Sequence, residues 1–262
     1  MEISFFKYQG TGNDFVMIDN RNGGLSLGRG QVAFLCDRRF GVGADGLILL
    51  EEDSESDFRM VYFNSDGGES TFCGNGGRCA VAFARMLNPG MGRSIRFRAR
   101  DGFHLAEAAE DRISLAMNLV APVMPVPGLA GVFDVHTGSP HRVLVYSEKA
   151  DSDTVFRKGR EVREAHSAEG INVNFMTLLG ENRIFLRTYE RGVEAETLSC
   201  GTGVTAAALV AAGMGCSSPV SVETPGGRLE VRFWRDAEGS LHDIWLEGPA
   251  VRVFEGKIRL VG

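Results

Sequence analysis

Two cysteines are set apart by the residues that follow them: Cys73-Gly74-Asn75-Gly76-Gly77-Arg78-Cys79-Ala80 and Cys200-Gly201-Thr202-Gly203-Val204-Thr205-Ala206-Ala207. Each run of small residues leads into an apolar stretch, the pattern of a thiol placed at the N-terminus of a helix. There the first-turn N–H groups and the positive end of the helix dipole favour an anion, and a thiol pKa of about 8.5 falls to roughly 3.5–7.5. Gly74, Gly76, Gly201 and Gly203 let a ligand approach the backbone, where a carboxylate can rest on the N–H groups. A thiolate on one face of a carbon acid and a thiol on the other suit one reaction class: inversion of a stereocentre by removing a proton from one side and returning another from the opposite side. Donors aimed at the substrate carboxylate stabilise the charge that develops on it. A single cysteine is more often a small buried hydrophobe. Cys36, Cys79 and Cys216 keep that reading, and repetition of the whole motif separates Cys73 and Cys200 from them.

The repeat extends beyond the cysteines. The offset of 127 residues between Cys73 and Cys200 also pairs Tyr62 with Tyr189, Glu69 with Glu196, Ser70 with Thr197 and Asp45 with Asn172. Near the start, Thr11-Gly12-Asn13-Asp14 faces Thr137-Gly138-Ser139-Pro140 at an offset of 126. Landmarks in one order predict two pseudo-equivalent halves, residues 1–125 carrying Cys73 and residues 126–262 carrying Cys200. The join is expected where Pro122, Pro125, Pro127 and Gly128 cluster, with the final strand a candidate to return to the first half.

Short β-prone runs dominate both halves, among them Phe15 to Ile18, Leu47 to Leu50, Phe58 to Phe63, Val143 to Tyr146 and Ile184 to Tyr189. Helices are expected over Asn75 to Leu87 and Thr202 to Ala212, both apolar nearly all round. A helix with no polar face must be wrapped by other structure. The expected fold is therefore α+β: two pseudo-symmetric domains, each a curled, mostly antiparallel sheet around a central helix. Such a pseudo-twofold is expected to bring both helix mouths to one cleft, whose closure expels water.

Composition removes several classes of function. The 262 residues are 44% hydrophobic and 24% charged, ordinary for a globular chain and unlike a disordered or coiled-coil one. A net charge of −6 without basic blocks argues against nucleic acid or an anionic membrane as partner. The Met1 to Lys7 segment has no secretory pattern and five cysteines have no CxxC pair, so a cytoplasmic protein with reduced thiols is expected. Gly41-Val42-Gly43-Ala44-Asp45-Gly46 matches GxGxxG but leads into a strand-like run, which rejects a dinucleotide site. Cys73 and Cys79 lack zinc-knuckle spacing, and no metal site is expected. His104, His136, His166 and His242 are read as solvated or locally bonded, and the Glu161 to Glu164 run as an exposed face or loop.

From Gly10-Thr11-Gly12-Asn13-Asp14-Phe15 to Gly248-Pro249-Ala250, with both cysteine motifs and Tyr189-Glu190-Arg191-Gly192, the chain resembles the diaminopimelate epimerase family. These are cofactor-independent isomerases, needing no pyridoxal phosphate, that interconvert LL- and meso-diaminopimelate for lysine and peptidoglycan precursors. The resemblance implies a fold of two similar domains and a cytoplasmic homodimer acting on a small amino-acid substrate. It makes Cys73 and Cys200 the acid/base pair, with His141 and Glu190 supporting the thiols. It places substrate contacts on Asn13, Asn64, Gly74, Asn75, Asn172, Glu190, Arg191, Gly201 and Thr202. Arg191, Glu190 and the asparagines suit a substrate with two zwitterionic ends. Two positions depart from the family: many members have Gly-Asn-Pro-His where this chain has Gly138-Ser139-Pro140-His141, and some carry Gln where Gly46 stands. Ser139 is expected to reach a substrate only at close range or through a water. Other readings of the residues are a proline-type racemase, a thiol hydrolase pairing a cysteine with His141, and a redox-switched binding module.

Overall fold

Val204 to Ala212 is apolar except for Thr205, whose hydroxyl donates to the Gly201 carbonyl at 3.1 Å, and the architecture follows from burying this stretch. The computed structural model describes residues 1–109, 112–167 and 169–260. The chain first runs through β1 (Glu2–Gly10), β2 (Asn13–Asp19), α1 (Arg29–Cys36), β3 (Gly46–Glu51), β4 (Phe58–Asn64), α2 (Gly74–Leu87), β5 (Ser94–Ala99), β6 (Gly102–Ala108) and β7 (Arg112–Ala116). It continues through β8 (Met124–Pro125), β9 (Val132–His136), β10 (Pro140–Tyr146), α3 (Ser152–His166), β11 (Asn172–Gly180), β12 (Arg183–Glu190), β13 (Ala195–Thr197), α4 (Gly201–Gly213), β14 (Val220–Thr224), β15 (Gly227–Arg235), β16 (Leu241–Pro249) and β17 (Val251–Arg259).

These elements form two compact units, Met1–Leu115 with Gly248–Gly262, and Ala116–Glu247. The boundary falls at Leu115 and not at residue 125, because backbone hydrogen bonds tie the intervening residues to the second unit. Met117 N–H donates to the Ile244 carbonyl at 2.8 Å, and Ala121 N–H to the His136 carbonyl at 2.7 Å. The last strand belongs to the first unit, where β17 runs antiparallel to β1 from Glu2 opposite Arg259 to Gln9 opposite Val251.

Each unit repeats the other's topology. In the first, β2 is parallel to β3, β3 antiparallel to β4, β4 parallel to β5 and β5 antiparallel to β6. In the second the same steps recur through β10, β11, β12, β14 and β15. β2 and β10 start at Asn13 and Pro140, so the offset of 127 residues holds through these strands as well. The smaller offset expected near the start is confined to the turn before them.

The curled sheets enclose α2 and α4. Ala80, Val81, Phe83 and Ala84 pack against Phe15, Ile48, Met60 and Phe97. Val204, Ala207, Leu209 and Val210 pack against Met176, Ile184, Val222 and Leu229. Each fully buried valine, leucine or phenylalanine contributes about 1.5–3 kcal/mol. The outer sheet faces are covered by α1 over Val16, Ile18, Leu47 and Leu49 and by α3 over Leu144, Val173, Phe175 and Tyr189. Burial on both faces explains why Leu47 to Leu50 reads as a continuous apolar run instead of an alternating one. The Glu161 to Glu164 run lies on α3, where Lys158–Glu161 and Arg160–Glu164 pairs form on exposed side chains. Among the described residues, no helix is long and apolar enough to cross a membrane.

One contact fixes α3 on its sheet. A Cβ built on Gly159 would lie 2.5 Å from Tyr189 Cβ and 2.6 Å from its Cγ, atoms too near the backbone to swing aside. Gly159→Ala should therefore push α3 outward and cost about 1–3 kcal/mol. Urea unfolding measures this, and undiminished stability would contradict the packing described.

Candidate active site

Cys73 and Cys200 are the N-cap residues of α2 and α4, both with extended backbones (φ −133° and −116°), and neither side chain caps its helix. Each helix mouth is built by its own unit. In the first, Thr11 and Gly12 make the two-residue turn between β1 and β2, with Gly10 paired to Asn13. Both adopt positive φ, 50° and 86°, as the tight turn that matches strand twist requires. Threonine is uncommon in that region. It is retained here with its hydroxyl accepting from Arg78 Nη2 at 3.2 Å, while Gly12 N–H donates to Gln9 Oε1 at 2.9 Å.

The turn delivers Asn13 to the mouth of α2. Its Nδ2 donates to Asp45 Oδ2 at 2.8 Å, which turns Oδ1 toward Cys73 Sγ at 3.5 Å and Asn75 Nδ2 at 3.4 Å. Asn75 Oδ1 in turn accepts from Arg78 Nη2 at 2.8 Å. Arg78 is fully buried, and its Nε donates to the Pro249 carbonyl at 3.3 Å. Burial lowers its pKa to about 10. Beneath Asn13 lies a charge network: Arg38 forks Asp14 at 2.9 and 2.7 Å and reaches Asp45 at 2.8 Å, while Lys7 pairs with Asp14 at 2.8 Å and donates to the Gly43 carbonyl. Burial alone would raise the Asp14 carboxyl, but the hydrogen bonds from Arg38 and Lys7 outweigh it and hold the group well below the usual carboxylate range. Asn64 closes β4 opposite Gly46 and, among the described contacts, stands outside this network.

Around Cys200 the second mouth is lined by hydroxyls, an imidazole and amides, with Arg191 and Glu190 farther along. Cys200 Sγ lies 3.4 Å from Thr202 Oγ1, which lies 3.1 Å from Ser139 Oγ. Ser139 Oγ is 2.9 Å from His141 Nε2, and His141 Nδ1 is 3.0 Å from Asn174 Nδ2. Asn172 donates from Nδ2 to Ser139 Oγ at 3.3 Å and accepts from the Arg191 N–H at 2.9 Å. The Arg191 guanidinium extends to the Glu169 carbonyl at 3.4 Å. Glu190 ends β12, its Oε2 accepting from Thr197 Oγ1 at 2.8 Å; burial raises its pKa and the Thr197 bond opposes the rise. His141 is fully buried, and loss of solvent, reinforced by His136 and Arg191, lowers its pKa to about 3.

Cys73, Gly74, Asn75 and Asn13 thus come together at one helix start, and Cys200, Gly201, Thr202, His141, Asn172 and Arg191 at the other. Gly76 and Gly203 also have a packing role. A Cβ on Gly76 would lie 3.0 Å from Ile48 Cδ1, and one on Gly203 2.4 Å from Asn174 Oδ1. At both positions the absence of a side chain lets the helix start pack against its own unit. A Cβ on Gly46 would lie 2.7 Å from the Phe63 carbonyl oxygen and the Tyr62 ring, so a glutamine has no room there. Ser139 Oγ is engaged by three side chains, those of His141, Asn172 and Thr202. The sequence reading passed over Arg78, Asn174, Asp14, Arg38 and Thr197. The one available signal was charge or amide within otherwise apolar elements, as with Arg78 three residues after Asn75.

The remaining cysteines and histidines behave as expected. Burial pushes Cys36 and Cys79 up to about 12, which keeps both protonated. His104 bonds Asp101 and stacks on Phe72, His242 bonds Asp236, and His136 and His166 are exposed. No group of three or more His, Cys, Asp or Glu suited to a metal ion occurs among the described residues.

Comparison with known proteins accords with this geometry. The chain matches the family described as diaminopimelate epimerase over residues 5–118 and 133–253. It is 47% identical to a diaminopimelate epimerase of Flavobacterium psychrophilum, covering 98% of this chain and all of that protein. It is 43% identical to one of Chlorobaculum tepidum, covering 96% of this chain and 99% of that protein. Among solved structures, a phenazine biosynthesis protein of the PhzF family from Bacillus anthracis shares the fold with a TM-score of 0.76 at 15% identity, over 99% of this chain and all of the other. A probable proline racemase from Agrobacterium radiobacter does so with a TM-score of 0.69 at 15% identity, over 99% and 93%. The chain is an enzyme of the isomerase class. It belongs to the diaminopimelate epimerase family.

The buried imidazole has a thermodynamic signature. Its pKa is about 3 when folded and about 6.5 when unfolded. Between those values the unfolded chain binds the extra proton, so His141 removes stability as pH falls through about 6.5 toward 3. His141→Gln cannot ionise and should lose less stability between pH 7 and pH 5 than the parent. Equal losses in urea unfolding would show that the imidazole is not held neutral.

Proposed function

We propose that this chain catalyses the interconversion of LL- and meso-diaminopimelate by a two-base route, with Cys73 and Cys200 as the acid/base groups. The observation that carries the reading is the pair of cysteines at the N-cap positions of α2 and α4 in a chain 47% identical to a named diaminopimelate epimerase over nearly its whole length. In each direction a thiolate removes the proton from the α-carbon while the other thiol returns one to the opposite face, and the roles exchange on reversal. First-turn N–H groups of α2 and α4 stabilise the charge that grows on the substrate carboxylate. No cofactor takes part in this reading.

Gly74, Asn75, Gly201 and Thr202 would hold the carboxylate and ammonium at the reacting carbon, with Asn13, Asn64 and Asn172 supplying amides. Arg191 and Glu190 suit the far zwitterionic end, a guanidinium for the carboxylate and a carboxylate for the ammonium. That demand favours diaminopimelate over a proline-type substrate, which has no second polar end. His141 and Glu190 act as supports of the thiols. Cytoplasmic residence and a homodimer belong to the same proposal.

Incubation with LL-diaminopimelate in heavy water should place deuterium at the inverted carbon of the product; turnover without label would rule out proton exchange. Cys73→Ala and Cys200→Ala should each abolish epimerisation while retaining the parent circular dichroism spectrum. Substantial turnover by either variant would remove that thiol from the mechanism.

A further inference from the structure

Ser139 stands where many members of the family have asparagine, and the structure gives it a use of its own. Hydrogen-bond directions around it are determined from one end. Asn174 Nδ2 faces two backbone carbonyls, those of Arg142 at 3.3 Å and Asn172 at 3.5 Å, while its Oδ1 accepts from Thr188 Oγ1 at 3.0 Å. The amide is therefore oriented with its NH2 toward His141 Nδ1, which must act as acceptor. A neutral imidazole that accepts at Nδ1 carries its proton on Nε2, and that N–H points at Ser139 Oγ, 2.9 Å away. Asn172 Nδ2 donates to the same oxygen. With its lone pairs taken by two donors, the Ser139 hydroxyl directs its single hydrogen at Thr202 Oγ1, 3.1 Å away. Thr202 then accepts from Ser139 and presents its own hydrogen to Cys200 Sγ at 3.4 Å.

We propose that Ser139 is a positioning residue for the epimerisation: it transmits the orientation fixed by Asn174 and His141 to Thr202, whose hydroxyl it turns into a hydrogen-bond donor to Cys200. A donor to sulfur stabilises the thiolate over the thiol, so this chain of bonds prepares Cys200 to accept a proton. The amide that many relatives carry at this place accepts and donates through two separate atoms, Oδ1 and Nδ2, whereas the hydroxyl does both through one oxygen and so relays direction through a single point. The charged and titratable groups set against His141, namely His136 and Arg191, both disfavour a proton on it, so the neutral tautomer that the chain requires is also the one its surroundings favour.

This inference rests on the two-thiol reading above, and its test is chosen to fail separately from that reading. Alkylation of Cys200 by iodoacetamide, quantified by peptide mass spectrometry, reports thiolate without turnover. Ser139→Ala should slow alkylation of Cys200 at pH 7 about tenfold, roughly the effect of one pKa unit. It should also lower kcat by a similar factor with little change in KM. Ser139→Thr keeps the hydroxyl and should restore both, whereas Thr202→Val, which deletes only the final link, should reproduce the alkylation defect even if Ser139→Ala folds poorly. Parent-like alkylation of Cys200 in folded Ser139→Ala or Thr202→Val would overturn the proposal. Slowed alkylation in these variants, alongside a parent enzyme that fails to epimerise diaminopimelate, would leave the hydrogen-bond chain standing and reject the assigned reaction.

Discussion

The constraint on which this structure depends is that an apolar helix must be buried on every side. From Val204 to Ala212 each residue of α4 is buried, and α2 is enclosed almost as completely. A sheet curled around such a helix leaves only the helix ends as places where backbone polarity can meet a ligand. At the N-terminal end those groups are N–H donors with the positive end of a dipole behind them. The packing that stabilises each unit therefore also creates an anion-favouring position, and a cysteine at the cap inherits it.

The second requirement is that polar groups inside an apolar shell be paired. Arg78, Asn75, Asn172, Asn174 and His141 are all buried, and each is fixed by partners on neighbouring strands or on its own helix. Such pairing is directional. A side chain whose donors and acceptors are all committed presents one defined face to the thiol, and that face is what chemistry then uses. Cys73 sees the carbonyl oxygen of Asn13 because Asp45 has claimed the amide NH2. Rigidity of this kind is inherited from the fold.

Much of this was legible in the sequence. The duplication, the two central helices, the α+β class and the strands that precede each helix follow from periodicity and from the spacing of Cys73 and Cys200. The unit boundary was less legible, because proline clusters mark turns whereas the boundary depends on which strand accepts the next hydrogen bond, as Met117 and Ala121 show. The outer helices α1 and α3 were also hidden, since their apolar faces are short and α3 is dominated by charge. Within the site, residue types near each cysteine could be read, but partners could not. Nothing in the order Gly138-Ser139-Pro140-His141 shows that the serine oxygen lies between an imidazole and a threonine. Nor does Gly46 reveal that the Tyr62 ring occupies the space a side chain would need.

The two halves solved one positioning problem with different chemistry. At the offset of 127 residues, Asp14 corresponds to His141 and Asp45 to Asn172, so acids in the first unit stand where an imidazole and an amide stand in the second. The first mouth is braced by ion pairs in which the Arg38 side chain is 59% exposed, the second by neutral groups with His141 and Asn174 wholly shielded. Mobile ions screen the former and scarcely touch the latter. Ionic strength thus bears more on the exposed Arg38 pairs of the first mouth than on the shielded His141–Asn174 contact of the second, and the two halves of the internal repeat differ in how the surrounding salt reaches them.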